Sequence, residues 1–408
     1  MEKYHLKTKI VTCLLAILIL GMSARSAAME EIVVLGDLGS LPGESVKSVF
    51  GFNKSLLETP RSASTISEEM MERFNMHDID ELIALAPGSF TQSFFGVAGG
   101  LDVRGTPGET YFRGVRRLDN PGNYPTPIGA SDRVDIVRGP ASPIYGPSKI
   151  GGYLNFNPKS ARIEETGQFI TETEGAVSFT TGSWGKSTLT AEVGGPATVF
   201  GREIGYYVYT ELEDSDSYYD NSGVEQNLFQ TSFDMDITDN VRIQFGGMYH
   251  DYSGNQIAGW NRVTQDLIDN GTYITGSPAP LDVNGDGKVS HQEYDTDGSG
   301  FTNYNPFRFD FLSGASGGAL TAGSNETLAD LEVFVGDLSY MALLNPGLIK
   351  LDGSSVLVDP DDRLENEVTT LYFDVIIALG NDWELKNQLF FEEYDNINEN
   401  AYGFSQFH

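Results

Sequence analysis

The sequence predicts a mixed α+β domain followed by antiparallel β structure, and three observations support this fold class. Up to about residue 165, short apolar runs of helical and of strand type follow one another. After about residue 166, apolar and polar residues alternate, which is typical of strands with one apolar and one polar face. Glycine accounts for 46 of the 408 residues without a regular period, which indicates many tight turns between strands.

The composition excludes several classes of protein. Asp and Glu number 58 against 26 Lys and Arg, which gives a net charge of −32. We therefore expect no binding to nucleic acid, because that affinity comes from basic residues that neutralise phosphates. Hydrophobic residues make up 40% and aromatic residues 11% of the chain, which is too much apolar surface for a disordered protein.

The N-terminus has the features of a secretory signal peptide. Three lysines precede an apolar stretch from Ile10 to Leu20, and small residues follow at Ser26–Ala28. This order predicts a signal peptide over residues 1–28, and the apolar stretch is too short for a helix that spans a bilayer. The single cysteine, Cys13, lies inside it, so we expect no disulfide in the exported protein.

The first part of the exported chain, residues 49–165, combines helix and strand signals. Ser67 before Glu68 and Glu69 indicates the start of one helix, and a second is expected over Asp78–Ala86, ended by Pro87–Gly88. Short apolar runs predict strands at three further places: Thr110–Phe112, Val134–Val137 and Tyr153–Phe156.

The second part predicts antiparallel hairpins. Residues 229–250 alternate on both sides of a turn at Thr238–Asn240, and residues 369–389 do the same around Gly380–Asp382. Three earlier segments have the same pattern, which brings the expected number of strands to about seven: 176–181, 187–193 and 204–212.

Two architectures fit such strands: a soluble sandwich with one solvated face, and an outer-membrane barrel with a lipid-facing apolar side. The connections favour the barrel. Short turns alternate with one very long segment, residues 251–366, and short turns on one side with long loops on the other are typical of outer-membrane barrels.

A longer motif makes the interpretation specific. Ser131–Gly146, which contains Arg-Gly-Pro and Tyr-Gly, and the following Gly151–Phe156 resemble the plug domain of TonB-dependent outer-membrane receptors. Other segments resemble further parts of this family in the expected order: Glu58–Ser67 the opening strand, Asp80–Gly88 a helix and turn, Val103–Gly105 and Phe112–Arg116 two arginine-containing turns, and Gly194–Pro196 the turn after the second barrel strand.

The resemblance implies an architecture and a location. Residues 49–165 would form an α+β plug domain and residues 166–408 a partial antiparallel transmembrane β-barrel, surrounded by lipid in the cell outer membrane. Residues 251–366 would be an extracellular loop. Barrels of large plugged transporters close with about 22 strands, so about seven strands predict a chain that covers the N-terminal part of a receptor.

The segment 29–48 resembles a TonB box with its linker. The box residues would be Glu31, Ile32, Val33, Val34 and Leu35. A flexible, β-branched stretch can add as a strand to the sheet edge of a partner, and the resemblance implies that this partner is TonB, part of the inner-membrane energy-coupling complex. An ordinary first strand is the alternative.

The resemblance also implies roles for individual plug residues. Arg133 and Arg138 would pair with carboxylates of the barrel, where a partly desolvated setting strengthens such pairs; the alternative is that they are solvated. Plug loops would contact the transported ligand, and we expect Phe94, Phe95 and Tyr124 to take part, although these rings could equally pack inside the plug.

Residues 282–293 fit the template of an EF-hand calcium loop. Oxygen ligands are expected from the side chains or carbonyls at alternate positions, with a glycine at the sharp turn: Asp282, Asn284, Asp286, Lys288, Ser290 and Glu293. We therefore expect structural Ca²⁺ binding. Asp295–Gly300 begins a weaker copy, and the alternative for both segments is a solvated turn rich in Asp and Gly.

No motif of the common phosphate-binding, zinc or serine enzymes is present in the sequence, so we do not expect an enzyme. The resemblance implies energised uptake of a scarce ligand, with a ferric siderophore favoured. A receptor for cobalamin or an oligosaccharide is the alternative within the family. A secreted calcium-binding adhesin or β-sandwich binding module is the alternative from another class.

Overall fold

The computed structural model describes most of the two predicted domains. The described residues are 62–118, 124–141, 146–162, 168–199, 201–260, 265–278, 343–381 and 383–400. The predicted signal peptide (1–28), the TonB box and linker (29–48) and the calcium-like loop (282–293) lie outside the described residues, as does the second copy at 295–300.

The described part of the chain is mostly strand, with three short helices. The helices are α1 (Glu68–Arg73), a 3₁₀ helix (Ile79–Leu85) and α2 (Gln265–Asn270). The strands of the first domain are β1 (Ser62–Ser67), β2 (Ser89–Phe94), β3 (Val97–Val103), β4 (Thr106–Pro107), β5 (Glu109–Phe112), β6 (Val115–Arg116), β7 (Ser131–Arg138) and β8 (Gly152–Pro158). The later strands are β9 (Glu174–Thr181), β10 (Ser187–Val199), β11 (Arg202–Asp216), β12 (Gly223–Thr238), β13 (Val241–Gly254), β14 (Thr272–Pro278), β15 (Leu343–Lys350), β16 (Arg363–Gly380) and β17 (Trp383–Glu399).

Local signals explain where the two plug helices begin. The hydroxyl of Ser67 accepts a hydrogen bond from the backbone N–H of Met70, so Ser67 caps α1. Asp78 and Glu81 form a capping box at the start of the second helix. Both predicted helix starts are confirmed, but the second helix is a 3₁₀ helix that is shorter than the predicted Asp78–Ala86.

The plug contains two small sheets around one apolar core. The larger has five strands in the order β1-β7-β8-β5-β6, and the smaller consists of β2, β3 and β4. The strands predicted at 110–112, 134–137 and 153–156 are confirmed as parts of β5, β7 and β8. Several core side chains are fully buried and join the larger sheet to the second helix and to β3: Ile66, Leu82, Leu101, Ile136 and Leu154.

The second part of the chain forms a seven-stranded antiparallel sheet, as predicted. Its order is β17-β16-β13-β12-β11-β10-β9. The strands of this sheet therefore lie side by side in the order in which they occur in the sequence. In β16 the polar side chains of Thr370 and Asp374 are buried, whereas Leu371 and Phe373 on the other face are exposed. A buried polar face and an exposed apolar face are the opposite of a soluble sandwich and fit an outer-membrane barrel wall.

The two ends of this sheet differ in their connections. Two-residue turns join β10 to β11, β12 to β13 and β16 to β17. The connections at the opposite end are longer and comprise 182–186, 217–222 and 255–362. Outer-membrane barrels have short periplasmic turns and longer extracellular loops. We call the two ends of the sheet the turn end and the loop end.

The predicted turn at Gly194–Pro196 is wrong, because these residues lie inside β10. Added to Gly194, a Cβ atom would come within 2.4 Å of the Tyr207 ring, so glycine is required by packing against the neighbouring strand. Pro196 is tolerated because β9 pairs with β10 only as far as Gly194, which leaves no bond on that side for the missing N–H of proline.

Two other predicted boundaries also change. The long connection is shorter than 251–366, because β13 continues to Gly254 and β16 begins at Arg363. The acidic, Asn-rich composition of Glu392–Asn400 predicts an outer loop, which is wrong, because β17 continues through this stretch to Glu399. Glu392 and Tyr394 contact the plug residues Arg117 and Tyr124, so the stretch keeps the two-residue period of a strand.

Part of the long connection is folded. Strands β14 and β15 pair with each other, and α2 precedes them. The ring of the buried Tyr273 packs against Trp260, with centroids 4.7 Å apart. None of the helices in the described residues is long and apolar enough to cross a membrane.

Candidate functional site at the plug and sheet interface

Arg113 joins the plug to the sheet near the turn end. It lies in the turn between β5 and β6, with a left-handed φ of 52°. Its Nη2 donates to Asp374 Oδ2 over 2.6 Å and to Gln244 Oε1 over 2.8 Å, and its guanidinium lies 4.3 Å from the centroid of the Tyr372 ring. Burial lowers the pKa of Arg113, but the neighbouring Tyr372 and Asp374 outweigh this effect and raise the pKa, so the group stays charged.

Arg162 makes the second ion pair of this end. Its guanidinium contacts the buried Asp234 over 2.6 Å and the more exposed Asp236 over 2.9 Å. It also lies 4.1 Å from the centroid of the Phe169 ring. Arg162 follows β8 after a short connection, so the end of the plug sheet places this side chain against β12.

Lys159 connects one plug carboxylate and one sheet carboxylate. Its ammonium pairs with Glu68 at the start of α1 and with Glu192 of β10, both over 2.5 Å, and it lies 4.7 Å from the Tyr209 ring centroid. Burial lowers the pKa of Lys159, but the two carboxylates outweigh this effect and raise the pKa. The ammonium therefore stays charged although the residue is only 5% exposed.

Arg117 contacts the last described strand. Its Nε donates to Glu392 Oε2 over 2.6 Å, and the backbone N–H of Leu118 donates to Oε1 of the same carboxylate. Both side chains of the ion pair are less than 10% exposed. Glu392 lies in β17 and is therefore part of the interface.

Toward the loop end the contacts become neutral. Tyr124 is 4% exposed, and its hydroxyl lies 2.8 Å from His250 Nδ1, while His250 Nε2 lies 3.0 Å from Gln226 Oε1. Because the amide oxygen of Gln226 only accepts, Nε2 carries the proton and Tyr124 donates to Nδ1. Burial raises the pKa of the Tyr124 hydroxyl, so it stays protonated as a donor.

The turn between β2 and β3 contacts the base of the long connection. The carbonyl of Phe95, which has a left-handed φ of 50°, accepts a hydrogen bond from the N–H of Ile257 over 2.7 Å. Beside it, Val97 packs with Tyr252 and Leu364 in an apolar cluster. The tip of the plug is thus in contact with the segment that begins the predicted extracellular loop.

One glycine of the plug, Gly129, lies close to side chains of the sheet. At Gly129 an added Cβ would lie 2.4 Å from the Tyr209 hydroxyl and 2.7 Å from a carboxylate oxygen of Glu211. The backbone of the plug at Gly129 therefore lies against the ends of two β11 side chains, which an added side chain would have to displace.

One of the two arginines predicted for this interface, Arg138, has another role. Arg138 donates to the Pro87 carbonyl and to the hydroxyls of Ser62 and Ser64, all within the plug, so its assignment as a contact with the barrel is wrong. Arg133 pairs over 3.1 Å with Asp135 of its own strand. Strands β1 and β7 are neighbours in the plug sheet. This position explains why Arg138 of β7 contacts serines of β1 and not the barrel sheet.

Other signals in the sequence point to the pairs that do form. Arg113 lies in a turn that the family resemblance already marked. Asp234 and Asp374 are acidic residues at inward positions of alternating strands, where a charge needs a buried partner. The sequence gives no signal for which base meets which acid, since the partners are between 33 and 275 residues apart.

The residues predicted to bind ligand differ in their exposure to solvent. Phe94 is 50% exposed and packs edge-on against Phe95, with ring centroids 6.0 Å apart. Tyr124 is buried between His250 and Tyr394. The exposed Phe94 is thus accessible to a ligand at the loop end, whereas Tyr124 is part of the interface.

Comparison with known proteins finds a family model and several relatives that match parts of this chain. Residues 55–153 match the family model of the TonB-dependent Receptor Plug Domain, within the segment predicted as plug. The ferrioxamine receptor of Yersinia enterocolitica is 27% identical over 181 residues, which are 41% of this chain and 25% of the relative. The ferripyoverdine receptor of Pseudomonas aeruginosa is 22% identical over 210 residues, 50% of this chain and 24% of the relative.

Solved structures show the same fold. The pyoverdine outer membrane receptor of Pseudomonas aeruginosa bound to pyoverdine superposes with a TM-score of 0.59 and 16% identity, covering 88% of this chain and 41% of that chain. The chain spans about a quarter of the length of the curated relatives it matches.

The fold is a plug domain packed against part of an antiparallel β-barrel wall, the architecture of the solved outer-membrane receptors. The first of these two parts matches the plug domain of TonB-dependent receptors over residues 55–153.

Proposed function

We propose that the protein takes part in energised uptake of a ferric siderophore across the outer membrane, with TonB as its partner. The observation that carries this proposal is the plug, which matches the TonB-dependent receptor model and packs against the polar face of the barrel sheet. The ferrioxamine and ferripyoverdine receptors among its relatives support the ligand class.

The proposed contact with TonB lies in Glu31, Ile32, Val33, Val34 and Leu35. Strand addition to a partner sheet depends on backbone hydrogen bonds, and proline removes one donor. We expect Val33→Pro to abolish accumulation of radioactive iron supplied as ferric pyoverdine or ferrioxamine to cells that lack their own receptors. Binding of the chelate to cells without energy should stay unchanged.

Ser40→Pro in the adjacent linker is the matched control and should leave uptake unchanged. Equal uptake by Val33→Pro and the unsubstituted protein would show that the box is misassigned. If the unsubstituted protein accumulates neither chelate, the ligand class is wrong.

A structural calcium site is the second part of the proposal. The carboxylates and carbonyls of residues 282–293 match the ligand order of an EF-hand, and calcium would order this acidic segment of the proposed extracellular loop. We expect calcium to protect the segment from protease, and Glu293→Gln, which removes the bidentate ligand, to abolish this protection. Asp269→Asn, an exposed acid of the same connection, is the control. Equal digestion with calcium and with chelator would refute the site.

A further inference from the structure

Three polar side chains form one row on the plug-facing side of the sheet. Asp234 of β12 is directly opposite Gln244 of β13, and Gln244 is directly opposite Asp374 of β16. Each of these strands has a neighbouring strand on both sides, so the row lies inside the sheet and not at its edge. The two outer members of the row, Asp234 and Asp374, are the carboxylates that pair with Arg162 and Arg113.

Gln244 is hydrogen-bonded to both ion pairs. Its Oε1 accepts from Nη2 of Arg113 over 2.8 Å, and its Nε2 donates to Oδ2 of Asp234 over 2.5 Å. Arg162 uses the other oxygen of Asp234, because its Nε donates to Oδ1 over 2.7 Å. A continuous chain of hydrogen bonds therefore joins the two pairs, in the order Arg162, Asp234, Gln244, Arg113 and Asp374.

The amide of Gln244 has one orientation that suits both neighbours. A guanidinium only donates and a carboxylate only accepts. The amide oxygen must therefore face Arg113, and the amide nitrogen must face Asp234. An amide turned the other way would oppose donor to donor on one side and acceptor to acceptor on the other. The hydrogen bond on one side thus fixes the geometry of the hydrogen bond on the other side.

Arg113 depends strongly on this row. Its Nη2 donates to both Gln244 and Asp374, whereas its buried Nε has no hydrogen-bond partner among the described residues. The backbone N–H of Arg113 donates to the carbonyl of Phe156 in β8 over 3.0 Å, and β8 leads to Arg162. The two arginines are therefore connected by β8 on the plug side, and their two carboxylates are connected by Gln244 on the sheet side.

The sheet has a base of its own beside each of these acids. Arg242 Nε lies 4.0 Å from Asp234 Oδ2, and Lys386 Nζ lies 3.4 Å from Asp374 Oδ2. A carboxylate that loses its plug arginine is therefore not left as an isolated buried charge, which is the costly outcome of breaking a buried pair. We thus expect variants of the plug arginines to fold.

We propose that Gln244 couples the two ion pairs, so that plug and sheet separate at the turn end in one step and not one arginine after the other. Hydrogen bonds in a chain strengthen one another, and residues of one network have non-additive effects on stability. Gln244 is thus a positioning residue that holds both plug arginines through one amide. The inference goes beyond the proposed uptake function, because this coupling does not depend on the ligand that is carried.

The test measures amide hydrogen exchange by mass spectrometry in the purified protein as its gene encodes it. Two segments are followed, 110–117 around Arg113 and 157–162 before and at Arg162. Arg113→Lys keeps the charge but loses the planar donors. We expect it to raise the exchange rate about tenfold in both segments, in line with the loss of one hydrogen bond to a charged group. Arg162→Lys should do the same.

Gln244→Met distinguishes the amide bridge from the plug sheet as the route of coupling. It keeps the length of the side chain but removes both hydrogen bonds. In this background each lysine variant should change the exchange of its own segment, and its effect on the other segment should fall below about twofold. Gln244→Asn, which keeps the amide on a shorter side chain, gives the same test if Gln244→Met does not fold.

Gln226→Met is the matched control. Gln226 lies on β12, where its amide is hydrogen-bonded to His250 and Glu213, but it is outside the row. In this background Arg113→Lys should still raise the exchange rate of both segments.

Three results would overturn the proposal: an effect of Arg113→Lys that is confined to its own segment, an effect on the other segment that persists in Gln244→Met, or loss of the coupling in Gln226→Met as well. The second result would show that the plug sheet itself transmits the change. Failure of the unsubstituted protein to take up iron would refute the proposed function and leave the coupling untouched.

Discussion

The plug contacts the barrel sheet by different chemistry at its two ends. From the turn end to the middle of the strands, four plug bases are ion-paired with buried or half-buried sheet carboxylates: Arg113, Arg117, Lys159 and Arg162. Toward the loop end, the described contacts are neutral, such as the hydrogen bond between Tyr124 and His250. Breaking a buried ion pair by removing one partner costs about 3–5 kcal/mol, whereas a neutral hydrogen bond contributes about 0.5–1.5 kcal/mol.

This difference has a consequence for movement. Separating the plug from the loop end of the sheet requires less free energy than separating it from the turn end, where ion pairs must be broken. Three substitutions test whether the two ends differ in this way.

The largest effect is expected from Asp374→Asn. This carboxylate is 1% exposed, accepts from Arg113 and Gln388, and lies 3.4 Å from Lys386. The substitution leaves the guanidinium of Arg113 without its counter-charge. We therefore expect the free energy of local unfolding of the plug to fall by about 3–5 kcal/mol. Hydrogen exchange of the plug amides, read by mass spectrometry, measures this change.

Asp236→Asn is the control for this prediction. Asp236 pairs with Arg162, but its side chain is 52% exposed, so we expect a loss below about 1 kcal/mol. Equal effects of Asp374→Asn and Asp236→Asn would contradict the interpretation that burial strengthens the ion pairs at the turn end.

A medium effect is expected from Gly129→Val. The added side chain would collide with the Tyr209 hydroxyl and the Glu211 carboxylate, and overpacking of this kind costs about 1–3 kcal/mol. The same exchange experiment should show faster opening of the plug segment around β7. Gly259→Ala is the control, since no atom lies within 4 Å of its added Cβ. An unchanged exchange rate in Gly129→Val would mean that plug and sheet are further apart than described.

The smallest effect is expected from Tyr124→Phe at the loop end. The variant keeps the ring but removes the hydroxyl that donates to His250, so we expect a loss of about 1 kcal/mol. Exchange should increase in the segment from Tyr124 to Ile128 and stay unchanged around Arg113. A loss as large as that of Asp374→Asn would remove the distinction between the two ends.

Much of the fold could be predicted from the sequence, because its signals are local. The hairpin over 229–250 and the helix start at Ser67 depend on residues that are neighbours in the chain. The Gly194–Pro196 segment was misassigned for a related reason. Glycine and proline usually mark turns. Here Gly194 leaves room for the Tyr207 ring, and Pro196 lies beyond the point where the pairing with β9 ends.

The interface could be predicted only in part. Inward acids such as Asp374 and the turn at Arg113 were visible in the sequence, but the partner of each charge was not. Arg138 shows why: its position in a family motif suggested the barrel, yet the neighbouring strand of the plug supplies its acceptors. Long-range pairing depends on the orientation of whole elements, which no local pattern encodes.

The sequence by itself determined the plug segment and the seven strands of the sheet, because periodicity and turn residues act over a few positions. Only the tertiary structure decided which bases pair with which sheet carboxylates and that β17 continues through the acidic stretch to Glu399. These features arise when residues far apart in the chain are brought together and lose their hydration. The free energy of a buried charge then depends on whether it has an oppositely charged partner.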